Sequence, residues 1–185
     1  MLDKWKEIYA FGENGWFDFE NIYDMVVDKF DNTTFVEIGC WQGMSLSYLQ
    51  LKIKEKNKHI LCFGVDTFKG DLDNPMEQQI ISNENLDLQK RLKENFEKLS
   101  IIPSLIVLDS VKASDMFYKN EVSFCFIDGG HSYTQVCMDI DTWLPKIKEG
   151  GIIAGHDHPA PGVKKAVSER FTDYNVSKNS WWVQL

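Results

Sequence analysis

The 185-residue sequence predicts a single α/β domain: a doubly wound, mostly parallel sheet that closes on an antiparallel hairpin. Three observations carry that expectation. Short apolar runs at Thr34 to Ile38, Ile60 to Val65, Leu105 to Leu108, Ser123 to Ile127 and Ile152 to Gly155 alternate with stretches of helical periodicity. That order builds parallel strands joined by crossover helices. Glu37, Asp66, Asp109, Asp128 and Asp157 each stand at or beside the C-terminal end of one of these runs, and that edge of an open α/β sheet is where ligands bind. Finally, Tyr174 to Lys178 and Trp181 to Leu185 flank Asn179-Ser180 and read as a closing hairpin.

Taken in order, Met1 to Asp18 carries Trp5, Tyr9, Phe11, Trp16 and Phe17 among charges and shows no motif. Asp18 is a candidate N-cap for a helix from Phe19 to Phe30, which turns Phe19, Ile22, Met25, Val26 and Phe30 one way. The first strand leads to a glycine-rich corner, Gly39 to Gly43, and a helix running to about Lys54. The second strand stops at Asp66. Thr67 to Glu84 then forms an irregular segment longer than an ordinary connection, which suggests a lid or substrate loop. Leu88, Leu92, Phe96 and Leu99 define a helix ending before Pro103, and Ser110 is placed to cap a short helix after the next strand.

The stretch Val122 to His158 reads as strand, helix, strand. Ser132 and Gln135 fit a capping box; Tyr133, Val136, Ile140, Trp143, Leu144 and Ile147 make one apolar stripe; Gly150 and Gly151 end the helix. A right-handed crossover makes the two strands parallel, so Asp128 and the His156 to His158 cluster leave the same rim. Pro161 then opens a last helix bearing Val163, Val167 and Phe171.

Composition restricts the function. With 43% hydrophobic residues the chain can bury one core, and no linker, repeat or low-complexity tract divides residues 1–185. A net charge of −8 disfavours nucleic acid as a partner, and the Lys52, Lys54, Lys56 and Lys58 run reads as a solvated helix end. No stretch has the apolar length of a bilayer span, and Met1 to Phe11 lacks the order of a secretory signal, so the expected location is cytoplasmic. Cys40, Cys62, Cys125 and Cys137 lack metal or redox spacing and read as buried free thiols.

Five acids converging on one edge raise one another's pKa values and are tolerated where hydroxyls, cations or a cationic ligand offset them. The corner Glu37-Ile38-Gly39-Cys40-Trp41-Gln42-Gly43 puts an acid on the strand and glycines four apart, so that the backbone can approach a ligand. Trp41 replaces the middle glycine of G-x-G-x-x-G and would crowd a pyrophosphate. Asp66 is placed to accept hydrogen bonds from ribose hydroxyls. In these residues the sequence resembles the class I S-adenosylmethionine-dependent methyltransferases, whose first motif is E/D-x-G-x-x-x-G and whose second strand ends in a ribose-binding acid. From Val65 to Asp71, and again from Ile127 to Asp157, it resembles the branch containing sugar and natural-product O-methyltransferases, with an Asp-x-x-His pair after the fourth strand.

The resemblance runs from about Thr34 to the end of the chain. It implies a Rossmann-like class I methyltransferase fold. S-adenosylmethionine would lie against Glu37, Gly39, Cys40, Trp41, Gly43, Asp66, Thr67, Asp109, Ser110 and Asp128. Catalysis would fall to Asp128 and His131, with His131 as general base. Metal-dependent members imply magnesium at Asp128, His156 and Asp157, although a histidine at the fifth-strand position suits a hard cation less well than a carboxylate. The acceptor implied is a small hydroxylated molecule, a sugar among the candidates, and a homo-oligomer is compatible with the composition. A neutral imidazole with a pKa of about 6.5 cannot fully deprotonate an aliphatic hydroxyl beforehand, so it must act during transfer or with a metal's help. Two rivals share the sheet: an NAD(P)-binding Rossmann oxidoreductase and a non-catalytic S-adenosylmethionine-binding protein.

Overall fold

The apolar runs assemble into one seven-stranded sheet in a computed structural model that describes residues 1–10, 16–72 and 74–185. Its strands are β1 (Thr33–Ile38), β2 (Ile60–Val65), β3 (Ser104–Ile106), β4 (Val122–Ile127), β5 (Ile147–Gly155), β6 (Asn175–Ser177) and β7 (Ser180–Gln184). Their order is β3-β2-β1-β4-β5-β7-β6; β1 to β5 are parallel, and the closing hairpin adds β7 and β6 antiparallel. The chain reverses its direction of travel across the sheet between β1 and β4, which opens a crevice at the strands' C-terminal ends.

The helices are α1 (Leu2–Ile8), α2 (Glu20–Lys29), α3 (Met44–Glu55), α4 (Pro75–Asn83), α5 (Leu88–Leu99), α6 (Ser110–Ser114), α7 (Tyr133–Trp143) and α8 (Pro161–Arg170). Side chains alternate across a strand, so Phe35, Phe124 and Phe126 enter one core with Trp5, Tyr23, Leu49 and Phe96 from α1, α2, α3 and α5. Val36, Cys125 and Ile127 enter the other with Ala113, Ile140, Trp143 and Val167 from α6, α7 and α8. β4 is buried at every position, which suits its largely apolar sequence, interrupted only by the buried Ser123. All four cysteines are buried and free. Among the described residues no helix is long and apolar enough to cross a membrane.

Several expectations are corrected. The helix α7 ends at Trp143, and a 3-10 turn, Leu144–Lys146, carries the chain into β5. Pro145 cannot donate to a continuing helix, and Ile147 pairs with Val122. Gly150 and Gly151 therefore lie inside β5, where its register against β4 shifts and Gly150 takes φ +73°, instead of ending a helix. The segment Thr67 to Glu84 contains α4, capped by Asn74, whose side chain accepts from the Met76 and Glu77 amides. Asp109, not Ser110, caps α6 by accepting from Val111 and Lys112. Asp18 caps nothing; α2 starts after Phe19 without a side-chain cap, and the Asp18 carboxylate turns to the sheet edge. The segment Met1 to Asp18 holds α1, which buries Trp5; Phe11, counted among its aromatics, lies outside the described residues, as does Asp73 of the segment Thr67 to Glu84.

Glu37 is fully buried on β1, where its carboxylate accepts from Tyr23 Oη of α2 at 2.5 Å and from Ser45 Oγ of α3 at 2.8 Å. Burial pushes its pKa up to about 8, so the acid is protonated at neutral pH and ties two helices to the central strand. Glu37→Gln should therefore stay within about 1 kcal/mol of the wild type, whereas Glu37→Ala, which orphans two hydroxyls and leaves a void, should cost about 2–4 kcal/mol in chemical denaturation. A folded-state pKa raised above the ordinary 4.5 means that stability is lost as pH rises from about 4.5 through about 8. The wild type should accordingly lose ground to Glu37→Gln across that window, and a pH-independent difference would show that Glu37 is not buried in its protonated form.

Candidate active site

A cleft of about 760 Å³ opens along the C-terminal edge of β1, β2, β4 and β5. Of the residues expected there, Gly39, Cys40, Trp41, Asp66, Thr67, Asp109, Ser110, Asp128, His131, His156 and Asp157 line it. Glu37 and Gly43 are not in its wall. Glu37 serves the core, as described above, and Gly43 is the left-handed residue before α3 (φ +86°), where a Cβ would sit 2.8 Å from both Leu92 and Phe96. Gly39 (φ +84°) has its own reason: a Cβ would lie 1.9 Å from the Asp128 carbonyl oxygen. The two glycines thus let the corner pack against β4 and α5, a constraint internal to the protein.

Asp66 organises that corner. Its Oδ2 accepts from the Cys40 amide at 2.7 Å and the Trp41 amide at 3.0 Å, and its Oδ1 accepts from the Phe68 amide at 2.6 Å. Three backbone donors fix the carboxylate while leaving it acceptor capacity toward the cleft, where a ligand hydroxyl can reach it. Trp41 and Phe68 take positive φ around it, at +47° and +57°.

On the opposite side, the end of β4 and the end of β5 bring together the groups that carry charge. His131 Nε2 lies 2.9 Å from Asp157 Oδ2, and His156 Nδ1 lies 3.2 Å from the same oxygen and 3.6 Å from Asp128 Oδ1. His156 Nε2 meets Asp18 Oδ1 at 3.1 Å, and Asp18 Oδ2 accepts from Asn179 Nδ2 at 3.0 Å. The hydrogen bond to Asp157 raises the pKa of His131. Burial opposes protonation of His156, but Asp157, Asp128 and Asp18 outweigh it and raise its pKa to about 9. For Asp157 burial is likewise outweighed, by the two imidazoles, and its carboxyl falls well below the usual range. Desolvation pushes Asp128 up to about 7. The other nitrogen of His131, Nδ1, faces Asp71 Oδ2, in the stretch between β2 and α4, at 4.0 Å.

Asp18, Ser45, Asp71, Glu77, Gln135, Asp139 and Asn179, none of them expected at the site, are also in the cleft wall or its network. Asp18 is 138 positions from His156, and no local pattern could pair them. Asp139 had left a signal: it interrupts the buried stripe of Val136, Ile140 and Trp143 and is itself buried.

Asp128, His156 and Asp157 each offer one donor atom, all within 4.8 Å of one another, a spacing that suits a divalent cation. The donor chemistry does not suit magnesium, which takes oxygen ligands at octahedral geometry. One of the three donors is an imidazole with both nitrogens directed at carboxylates, in surroundings that favour its protonated form, which cannot ligate. Asp157 is occupied in orienting two imidazoles. No catalytic step is assigned to a metal.

A family model described as "Methyltransferase domain" matches residues 36–158. An uncharacterised protein of Acanthamoeba polyphaga mimivirus is 28% identical over 156 residues, covering 81% of this chain and 64% of its own, so the chain spans just under two thirds of that relative's length. Among solved structures, the O-methyltransferase NovP superposes with a TM-score of 0.68 at 17% identity, over 89% of this chain and 78% of its own. CalS11, described as a TDP-rhamnose 3'-O-methyltransferase of calicheamicin biosynthesis, gives 0.57 at 13% identity, over 89% and 76%. The SAH-bound methyltransferase PaMTH1 of Podospora anserina gives 0.64 at 12% identity, over 99% and 86%. At these identities the structural likeness is one of fold.

The shared carboxylate makes a direct test available. Asp157 adopts a left-handed backbone conformation (φ +53°) that asparagine tolerates well, so Asp157→Asn removes charge with little change of shape. The variant should lower the pKa of both His131 and His156, followed by NMR titration of their ring C–H signals, with His131 returning toward about 6.5. An unmoved His131 titration would separate it from Asp157.

Proposed function

Because the chain belongs to the methyltransferase-domain family, we propose that it transfers the methyl group of S-adenosylmethionine to a hydroxyl of a small hydroxylated acceptor, a sugar among the candidates, with His131 as general base. The observation that carries this reading is the His131–Asp157 pair at 2.9 Å on the rim of the cleft whose other side is the Asp66-held corner. A volume of about 760 Å³ suits a nucleoside-sized donor and a small acceptor together. Asp66 keeps acceptor capacity for ribose hydroxyls, and Asp71, Asn74, Glu77 and Asn179 line the remaining wall with groups that suit a polyol.

S-adenosylmethionine supplies, when bound, an already activated sulfonium methyl, so the protein's contribution is alignment, exclusion of water and removal of one proton. In the neutral tautomer whose Nε2–H donates to Asp157, Nδ1 is free to accept the hydroxyl proton, and Asp157 then stabilises the imidazolium. A catalytic role for Asp128 beside His131 is part of the same reading, supported by its place on the same rim, facing His156. Glu77 Oε2 accepts from the Asp71 amide at 2.7 Å and both residues line the cleft, which supports a lid role for the segment Thr67 to Glu84 in excluding water. The dinucleotide alternative loses support from Trp41, whose side chain lines the corner that a pyrophosphate would cross.

Calorimetry should detect binding of S-adenosylhomocysteine, and no binding would remove this reading. His131→Ala should keep that affinity while turnover of an accepted hydroxylated substrate falls by about 10²-fold or more. The base acts when neutral, and its pKa lies above the ordinary value, so the rate should rise with pH on the alkaline side of about 6.5. Asp128 and His156 titrate in the same range, so the diagnostic is the limb that disappears in His131→Ala. Undiminished turnover in that variant would take His131 out of the chemistry.

A further inference from the structure

The acids at this rim converge on a side chain of the protein itself. The His156 ring is 7% exposed and wedged at the end of β5: its amide donates to the Ile127 carbonyl at 3.0 Å, and its ring lies 5.0 Å from that of Phe19, which stacks on Phe126 of β4 at 4.4 Å. Three carboxylates from separate parts of the chain surround it. Nδ1 lies 3.2 Å from Asp157 Oδ2 and 3.6 Å from Asp128 Oδ1, and Nε2 lies 3.1 Å from Asp18 Oδ1. An ionised carboxylate can only accept, so bonds at both nitrogens need an N–H on each, and a ring with two N–H groups carries a positive charge. Asp18 is itself held for this contact, because its Oδ2 accepts from Asn179 Nδ2 at 3.0 Å. The N-terminal segment and the hairpin thereby fix the ring from its Nε2 side, and the two strand-end acids fix it from the other.

This arrangement leaves no task for a metal ion. Donor atoms of Asp128, His156 and Asp157 have the spacing of a cation site, all within 4.8 Å, but the ring brings the charge that such a site requires. Asp157 Oδ2 is already shared by His156 and, at 2.9 Å, by His131. A small cavity that these residues line together with Val163 and Trp181 is about 10 Å³, room for about one water, whereas magnesium keeps several. An ion entering from the open cleft would stand beside the imidazolium and be repelled by it. We propose that His156 is the resident cation of this rim: its ring takes the place of a divalent ion between Asp128 and Asp157, Asp18 locks it there, and the protein takes up neither magnesium nor manganese at these residues. The neutralised Asp157 is then free to orient His131 without help from an ion. The proposal concerns the rim alone and does not rest on the S-adenosylmethionine reading.

The test adds manganese or magnesium alone and reads binding by calorimetry and, for manganese, by electron paramagnetic resonance. The wild type should bind neither ion in the micromolar range, and its thermal melt should be the same in EDTA as with either ion. His156→Asp exchanges the ring for a third oxygen donor beside Asp128 and Asp157, so the folded variant should bind manganese at least about 10-fold more tightly than the wild type and should melt at a higher temperature once the ion is added. Micromolar binding by the wild type that Asp128→Asn abolishes overturns the proposal. So does a folded His156→Asp variant that binds manganese no better than the wild type. Should that variant fail to fold even with manganese present, the wild-type measurement decides alone. No cofactor enters either measurement, so failure of the S-adenosylmethionine reading leaves the result intact.

Discussion

Two aspartates crowded at the ends of neighbouring parallel strands are the constraint around which this edge of the molecule is built. Asp128 and Asp157 follow β4 and β5, which pair in register up to Ile127 and Gly155, so their carboxylates are forced into proximity. Left alone, the pair would repel and one would stay protonated. Two imidazoles resolve this: His156 stands between both acids and reaches Asp18, while His131 shares Asp157 from the cleft side. The same contacts draw in the N-terminal segment through Asp18 and the hairpin through Asn179, so charge balance at the site also holds the ends of the chain against it.

The glycine corner obeys steric limits of a different kind. Gly39 allows the chain to pass against the backbone at the end of β4, and Gly43 allows α3 to start against α5. Glu37, between the two cores' central strand and the corner, is held uncharged by burial and bonded to Tyr23 and Ser45. A motif that reads as a ligand cradle is therefore divided between packing and binding: Gly39, Cys40 and Trp41 reach the cleft, whereas Glu37 and Gly43 shape the elements that present them. Conservation of shape in such a corner would follow from either demand.

These two halves meet across the switch in strand order. One side offers a carboxylate already pinned by three amides, which costs little reorganisation when a hydroxylated ligand arrives. The other offers an imidazole, His131, oriented by an acid that cannot easily be protonated. Between them lies the cleft, whose wall includes residues of a segment that contains its own helix, α4, and its own hydrogen bonds.

The five parallel strands, the crossover helices and the closing hairpin were legible in the sequence because burial on two faces leaves continuous apolar runs, and because acids and glycines punctuate them locally. Asp66, Asp128, His131 and Asp157 were legible for the same reason: each sits within a residue or a few of a strand end. What remained hidden depended on distance in sequence or on competition between partners. Pro145 and the bulge at Gly150 moved the start of β5, since pairing with Val122 outweighed the helical stripe that included Ile147. Asp18 looked like a helix cap but was drawn to His156, and Glu37 looked like a ligand residue but was desolvated by helices that the motif does not contain. A sequence states which groups are present and which strand ends they share; only the packed chain decides which charges are neutralised by which neighbours, because that depends on separations of a few ångströms between residues more than a hundred positions apart.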